Sequence, residues 1–171
     1  QLGLGHIIRC AALSQMLTDH FAIHFAVSKP SNDVVQLIRK FGELTQLKSS
    51  NIEDEFKELK PLLQNTSIII CDGYHFDEKY HRFLKSEGQK LVEIDDLCNQ
   101  HSVADLLINH GGELLRNSYS TEPYTRLLLG FDYFLIGPEF IQAARERRIV
   151  QKVDTAFICM GGSDPNYVTK K

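Results

Sequence analysis

Residues 67–96 read SIIICDGYHFDEKYHRFLKSEGQKLVEIDD, and this stretch decides the fold class. It opens and closes on short apolar runs, SIIICDG (67–73) and KLVEIDD (90–96), each ending in polar residues or glycine. Continuous apolar runs of this length suit strands buried on both faces of a parallel sheet. Between them, residues 77–87 carry apolar side chains near a 3.6-residue spacing, and Gly88 is a suitable helix stop. Strand, helix, strand is the parallel crossover unit of α/β proteins.

The alternation extends in both directions. FAIHFAV (21–27), ADLLINH (104–110) and DTAFICMGG (154–162) read as further strands, and residues 6–19, 32–41 and 53–64 as further helices. Ser31 or Asn32 can cap the second helix and Gly42 can end it. The expectation is an α/β, Rossmann-like open parallel sheet with helices on both faces. In such a sheet a glycine turn normally follows a first strand, yet only Gln1 and Leu2 precede Gly3, so that strand is expected to be missing. The resulting layout is residues 1–144 as an N-terminal domain, 145–153 (RERRIVQKV) as a linker, and 154–171 as the start of a second, nucleotide-binding domain that is mostly absent.

Composition narrows the function classes. The 171 residues are 43% hydrophobic and 24% charged, with 19 basic and 22 acidic residues for a net charge of -3. That balance, with one short basic patch at Arg145, Arg147 and Arg148, gives no nucleic-acid surface. The four cysteines, Cys10, Cys71, Cys98 and Cys159, are widely spaced and mostly beside apolar runs, so a reducing, cytoplasmic setting without a disulfide framework is expected. No apolar run reaches the roughly 18–20 residues of a membrane span.

Candidate chemistry begins at Gly3-Leu4-Gly5-His6. Glycines let a backbone approach a ligand, and a helix start offers unpaired N–H groups and the positive end of the helix dipole, which suits a phosphate. The same dipole favours a neutral imidazole, the form that accepts a proton, so His6 is a candidate general base. The plainer alternative is a histidine packed against its own turn. The carboxyl ends of the strands, where open α/β sheets bind ligands, carry Asp72 and Tyr74, then Asp95 and Asp96, then Asn109, then Gly161, Gly162, Ser163 and Asp164. Turn capping explains any one of these alone. Asp95 and Asp96 are able to hold a metal, but no third hard ligand lies near them in sequence and none is expected. His20 and His24 read as a helix-end and a strand residue, and His81 as solvent-facing on its helix. Phe131, Tyr133, Phe134 and Phe140 read as core, with Gly130 and Gly137 as turns around a strand and Pro138 as a turn or helix start.

Taken together, LGLGHIIRCAALSQML, IIICDGYHFD, VEIDDL, LLIN, LLGFDYFLIGPEF and FICMGGSDPN resemble the nucleotide-sugar hydrolases of pseudaminic acid biosynthesis and the related spore-coat polysaccharide biosynthesis proteins. The resemblance spans almost the whole chain. It implies the two-domain glycosyltransferase-B architecture and inverting hydrolysis of a UDP-linked diacetamido-trideoxy sugar by water, with neither metal nor cofactor. It puts the base on His6, the turn glycines on Gly3 and Gly5, and a basic residue on Arg9. Asp72 with Tyr74 and Asp95 with Asp96 match further family positions, and the resemblance puts the second-domain turn, which in this architecture faces UDP, on Gly161, Gly162, Ser163 and Asp164.

Two alternatives stay open. A glycosyltransferase of the same architecture would activate an acceptor hydroxyl in place of water, and a non-catalytic nucleotide-sugar-binding domain would serve a larger enzyme, through fusion to or partnership with other polysaccharide-biosynthesis enzymes. With half of the cleft absent, the chain alone is expected to be inactive.

Overall fold

The structure, a computed structural model, describes residues 4–49, 51–64, 66, 68–86, 88–146, 149 and 151–157. In chain order the elements are α1 (Leu4–Leu17), β1 (His24–Ser28), α2 (Asn32–Ile38), β2 (Glu43–Leu47), α3 (Ile52–Leu63), β3 (Ile68–Asp72), α4 (Glu78–Leu84), β4 (Lys90–Ile94), β5 (His101–Ser102), β6 (Leu106–Asn109), β7 (Ser120–Thr121), β8 (Arg126–Leu129) and α5 (Pro138–Ala144). Helices begin where side chains cap them: Ser31 accepts from the Val34 N–H, Asn51 from Asp54 and Asp77 from Tyr80. Gly88, at φ +89°, follows α4 in the left-handed region that favours glycine.

Four strands pair in parallel in the order β3-β4-β6-β8, and β1 pairs in parallel with β2. A two-residue parallel pair, β5-β7, lies apart from both. Parallel strands flanked by helices make this a Rossmann-like open α/β fold, as the sequence pattern predicts. All four strands of the larger sheet end at one edge, so the loops after Asp72, Ile94, Asn109 and Leu129 emerge together.

The inner strands are as buried as their apolar runs require, with Leu91 and Leu107 at 0% exposure. Strand β3 differs: Ile68 and Ile70 are exposed on one face. Among the described residues β1 and β3 each have a partner strand on one side only, so alternate residues remain open. Packing nevertheless joins the two sheets. Leu47 of β2 and Leu59 and Leu63 of α3 share a cluster with Cys71 of β3, while Ile7 of α1 packs with Val27 and Ile38.

Several expectations need correction. Phe131, Tyr133, Phe134 and Phe140 are exposed, not core. Gly130, at φ +106°, ends β8 and turns the chain outward into a 3-10 turn at 131–133, and α5, which starts at Pro138, buries no residue. The strand lies before Gly130, at β8, and not between the two glycines. Strand β2, with only two apolar residues in ELTQL, is an addition to the expected strands, because it lacks a continuous apolar run. Residues 151–157 form neither helix nor strand, and the rest of the expected strand at 154–162 lies outside the described residues. No helix among the described residues is long and apolar enough to cross a membrane.

His81 is also corrected, from solvent-facing to 1% exposed. Its Nδ1 lies 3.8 Å from Glu93 Oε2, and Glu93 in turn accepts a hydrogen bond from buried Ser102. Burial pushes the His81 imidazole below its usual value, against upward pulls from Glu93, Asp77 and Asp95. The unfolded chain therefore binds a proton here before the folded one does, starting near the ordinary value of about 6.5. This contribution to stability is present above about pH 6.5 and is lost as the pH falls through the window below it. Urea unfolding between about pH 7 and pH 5 should show a steeper loss of stability for the wild-type chain than for His81→Gln. Parallel profiles would contradict this assignment.

Candidate active site

The site is built on the first turns of α1 and the end of β3. His6, Arg9 and Cys10 stand at i, i+3 and i+4, which puts them on one face of α1. All three meet Asp72, the last residue of β3, whose side chain is 1% exposed. Arg9 Nε donates to Asp72 Oδ2 and Arg9 Nη2 to Oδ1, both at 2.5 Å, the two-pronged geometry of a guanidinium on a carboxylate. His6 Nδ1 lies 2.7 Å from Oδ1, and Cys10 Sγ donates to Oδ2 at 3.5 Å. Burial pushes the Cys10 thiol up, so it remains a protonated donor. The hydrogen bond to Asp72 raises Arg9 against the downward pull of its own burial, with Asp72 and Asp96 adding charge attraction.

The next strand end closes the cluster from the side. Arg9 Nη1 donates to Asp96 Oδ2 at 3.3 Å, and the Tyr74 hydroxyl donates to the same oxygen at 3.2 Å. The Tyr74 ring, itself 62% exposed, meets the His6 ring edge-on at 4.7 Å. Five of the residues singled out from sequence, His6, Arg9, Asp72, Tyr74 and Asp96, thus form one contact network. Gly5 sits in the first turn of α1, where an added Cβ would meet nothing within 4 Å. Its backbone borders open space beside His6.

Asp95 and Asn109 belong to a neighbouring turn. Asp95 accepts from the Leu97 and Cys98 N–H groups, which is the capping role weighed against metal binding. Asn109 is 1% exposed, with Oδ1 accepting from Gly111 N at 2.6 Å and Nδ2 donating to Tyr119 at 2.7 Å. The Tyr119 hydroxyl then donates to Asp95 Oδ2 at 3.0 Å, so both residues are spent on loop geometry. Gly3, Gly161, Gly162, Ser163 and Asp164 lie outside the described residues.

One member of the network, Cys10, and one residue of the neighbouring turn, Tyr119, are not among the candidates that the sequence offers. Cys10 was legible in principle, since it shares the helix face of His6. Tyr119 was not, because nothing in NSYS marks a tyrosine that reaches back to Asp95.

Over 167 residues the chain is 29% identical to the UDP-2,4-diacetamido-2,4,6-trideoxy-beta-L-altropyranose hydrolase of Campylobacter jejuni subsp. jejuni serotype O:2. The match takes in 96% of this chain but 57% of that relative, so the chain spans a little over half the length of the protein it resembles. No protein-family model matches the chain.

The Arg9–Asp72 pair generates a stability test. Removing the guanidinium leaves a carboxylate buried without its charge partner, whereas replacing both groups by apolar ones removes the problem. Arg9→Leu should cost about 3 kcal/mol in urea unfolding, and adding Asp72→Leu should recover most of that loss. A double variant no more stable than the single one would show that Asp72 does not depend on Arg9.

Proposed function

We propose that this chain supplies the base-bearing wall of a nucleotide-sugar hydrolase. The observation that carries the reading is the His6 ring, held at Nδ1 by buried Asp72 at the carboxyl edge of the parallel sheet. The relative's activity toward a UDP-linked diacetamido-trideoxy sugar supports the substrate class. In the reaction, His6 takes a proton from water as its oxygen attacks the anomeric carbon. The bond from that carbon to the diphosphate oxygen breaks with its electron pair, UDP leaves, and the free sugar carries inverted stereochemistry. UDP is a good leaving group, and helix N-terminal N–H groups can meet its charge, so one base suffices without a strong acid.

The same reading assigns residues 1–144 to the N-terminal domain of a glycosyltransferase-B architecture, 145–153 to a linker and 154–171 to the start of the nucleotide-binding domain. It places the enzyme in the cytoplasm, in the biosynthesis of pseudaminic acid or a spore-coat polysaccharide. The architecture and pathway rest on the family resemblance, the domain bounds on the sequence pattern, and the cytoplasmic setting on the spacing of the cysteines.

The test is product analysis in the protein that carries this chain, given the UDP-sugar and no acceptor. UDP and free sugar should appear, the first-formed anomer should be the inverted one, and His6→Ala should lower kcat by about 10²-fold or more. UDP release only when an acceptor is added would make it a transferase, and unchanged turnover in His6→Ala would make this wall a binding module.

Gly5 provides a second check. Alanine is a better helix former and its Cβ meets nothing here, so Gly5→Ala should keep the fold and add up to about 0.5 kcal/mol of stability. The same methyl would occupy the space through which a diphosphate approaches the helix start, so KM should rise. An unchanged KM would mean that the phosphates bind elsewhere.

A further inference from the structure

We propose that Asp72 is a positioning residue: it fixes His6 as the tautomer protonated on Nδ1 and so leaves the Nε2 lone pair for the water. Asp72 stands at a strand end of the kind where open α/β sheets bind ligands, but its contacts commit it to the protein. Its two oxygens receive contacts from His6, Arg9 and Cys10, and its side chain is 1% exposed.

The tautomer follows from the distances. At 2.7 Å, His6 Nδ1 and Asp72 Oδ1 need a hydrogen between them, and a carboxylate has none to give. The competing arrangement has Arg9 Nη2, 3.0 Å from Nδ1, donating to an unprotonated Nδ1. That arrangement would set the Nδ1 lone pair against the carboxylate Oδ1 at 2.7 Å, a repulsion that one Arg9 Nη2–H at 3.0 Å offsets only in part. The shorter contact to the charged oxygen decides in favour of Nδ1–H, and a neutral imidazole with Nδ1–H carries its lone pair on Nε2. Nε2 makes no hydrogen bond to any described residue. Tyr74 holds the ring from the side, and its own hydroxyl is anchored on Asp96, so two strand ends fix the ring plane.

This assignment gives Arg9 a role as well. Its fork is committed to Asp72 and its remaining nitrogen to Asp96, so its charge balances the carboxylates and is not free for the diphosphate. When water gives its proton to Nε2, the imidazolium keeps its Nδ1–H on Asp72, and the added proton leaves later to solvent. The catalytic part of the inference rests on the hydrolase reading; the tautomer does not.

Nitrogen NMR of the ¹⁵N-labelled chain separates the two. The His6 Nδ1 signal should fall in the protonated range and Nε2 in the unprotonated range, and Asp72→Asn should move the ring toward the opposite tautomer. In the protein that carries this chain, Asp72→Asn should lower kcat by about 10²-fold with KM little changed, and Asp72→Glu should restore part of the loss. A wild-type His6 protonated on Nε2 overturns the inference even if Asp72→Asn fails to fold. A folded Asp72→Asn variant with unchanged tautomer and kcat overturns it too. Full activity in His6→Ala instead removes His6 as the base, and the catalytic part of the inference with it, and leaves the tautomer standing.

Discussion

The Arg9–Asp72 pair is the contact on which the local geometry depends. By apolar packing α1 belongs with the smaller sheet, through Ile7 on Val27 and Ile38. By this ion pair it belongs with the larger one, since Asp72 is the last residue of β3. A buried pair adds little net stability after desolvation, but a forked guanidinium accepts few orientations of its carboxylate. The pair therefore acts mainly as a fixture, holding the first turns of α1 over the end of β3. His6 and Cys10 reach the same carboxylate because they lie on the face that Arg9 has already aimed.

A charge committed in this way is unavailable elsewhere, and that shapes what the site can bind. Asp72 is enclosed, Asp96 holds Arg9 and Tyr74, and Arg9 faces two carboxylates. These residues present a held imidazole and a partly exposed aromatic ring, with the Arg9 charge already paired to Asp72 and Asp96. What stands open on this wall is the backbone at Gly5, where an added Cβ would meet nothing within 4 Å.

Strand-helix alternation was legible because parallel strands in a covered sheet carry continuous apolar runs, and β4 and β6 are such strands. The pattern failed where chain ends and sheet edges matter more than composition. Strand β2 is too polar to stand out, and its pairing with β1 supplies the order that its sequence lacks. The aromatic residues after Gly130 look like core by composition, yet a left-handed glycine at a sheet edge turns them outward. At the site, the glycine turn marked His6 and the strand ends marked Asp72, Tyr74 and Asp96, Arg9 came from the family resemblance, and their division of labour depended on burial. Asp72 and Asp96 look alike as strand-end carboxylates, but their side chains are 1% and 33% exposed.

The molecule contains a second histidine–carboxylate meeting, and it differs from the first in access and in the order of its contacts. His81, Glu93 and Ser102 include the residue types of a hydrolytic triad. Their order is wrong for one, because Ser102 donates to Glu93 and not to the imidazole, so no base faces the hydroxyl. All three are nearly inaccessible, with exposures of 1%, 4% and 1%, and burial works against a charged imidazole there. His6 shares the carboxylate contact but stands at a helix start on the open edge of the sheet, with only Nδ1 committed. Nucleophilic or basic work requires one ring nitrogen held and the other presented to a substrate. Of these two arrangements, only the one anchored on Asp72 provides both.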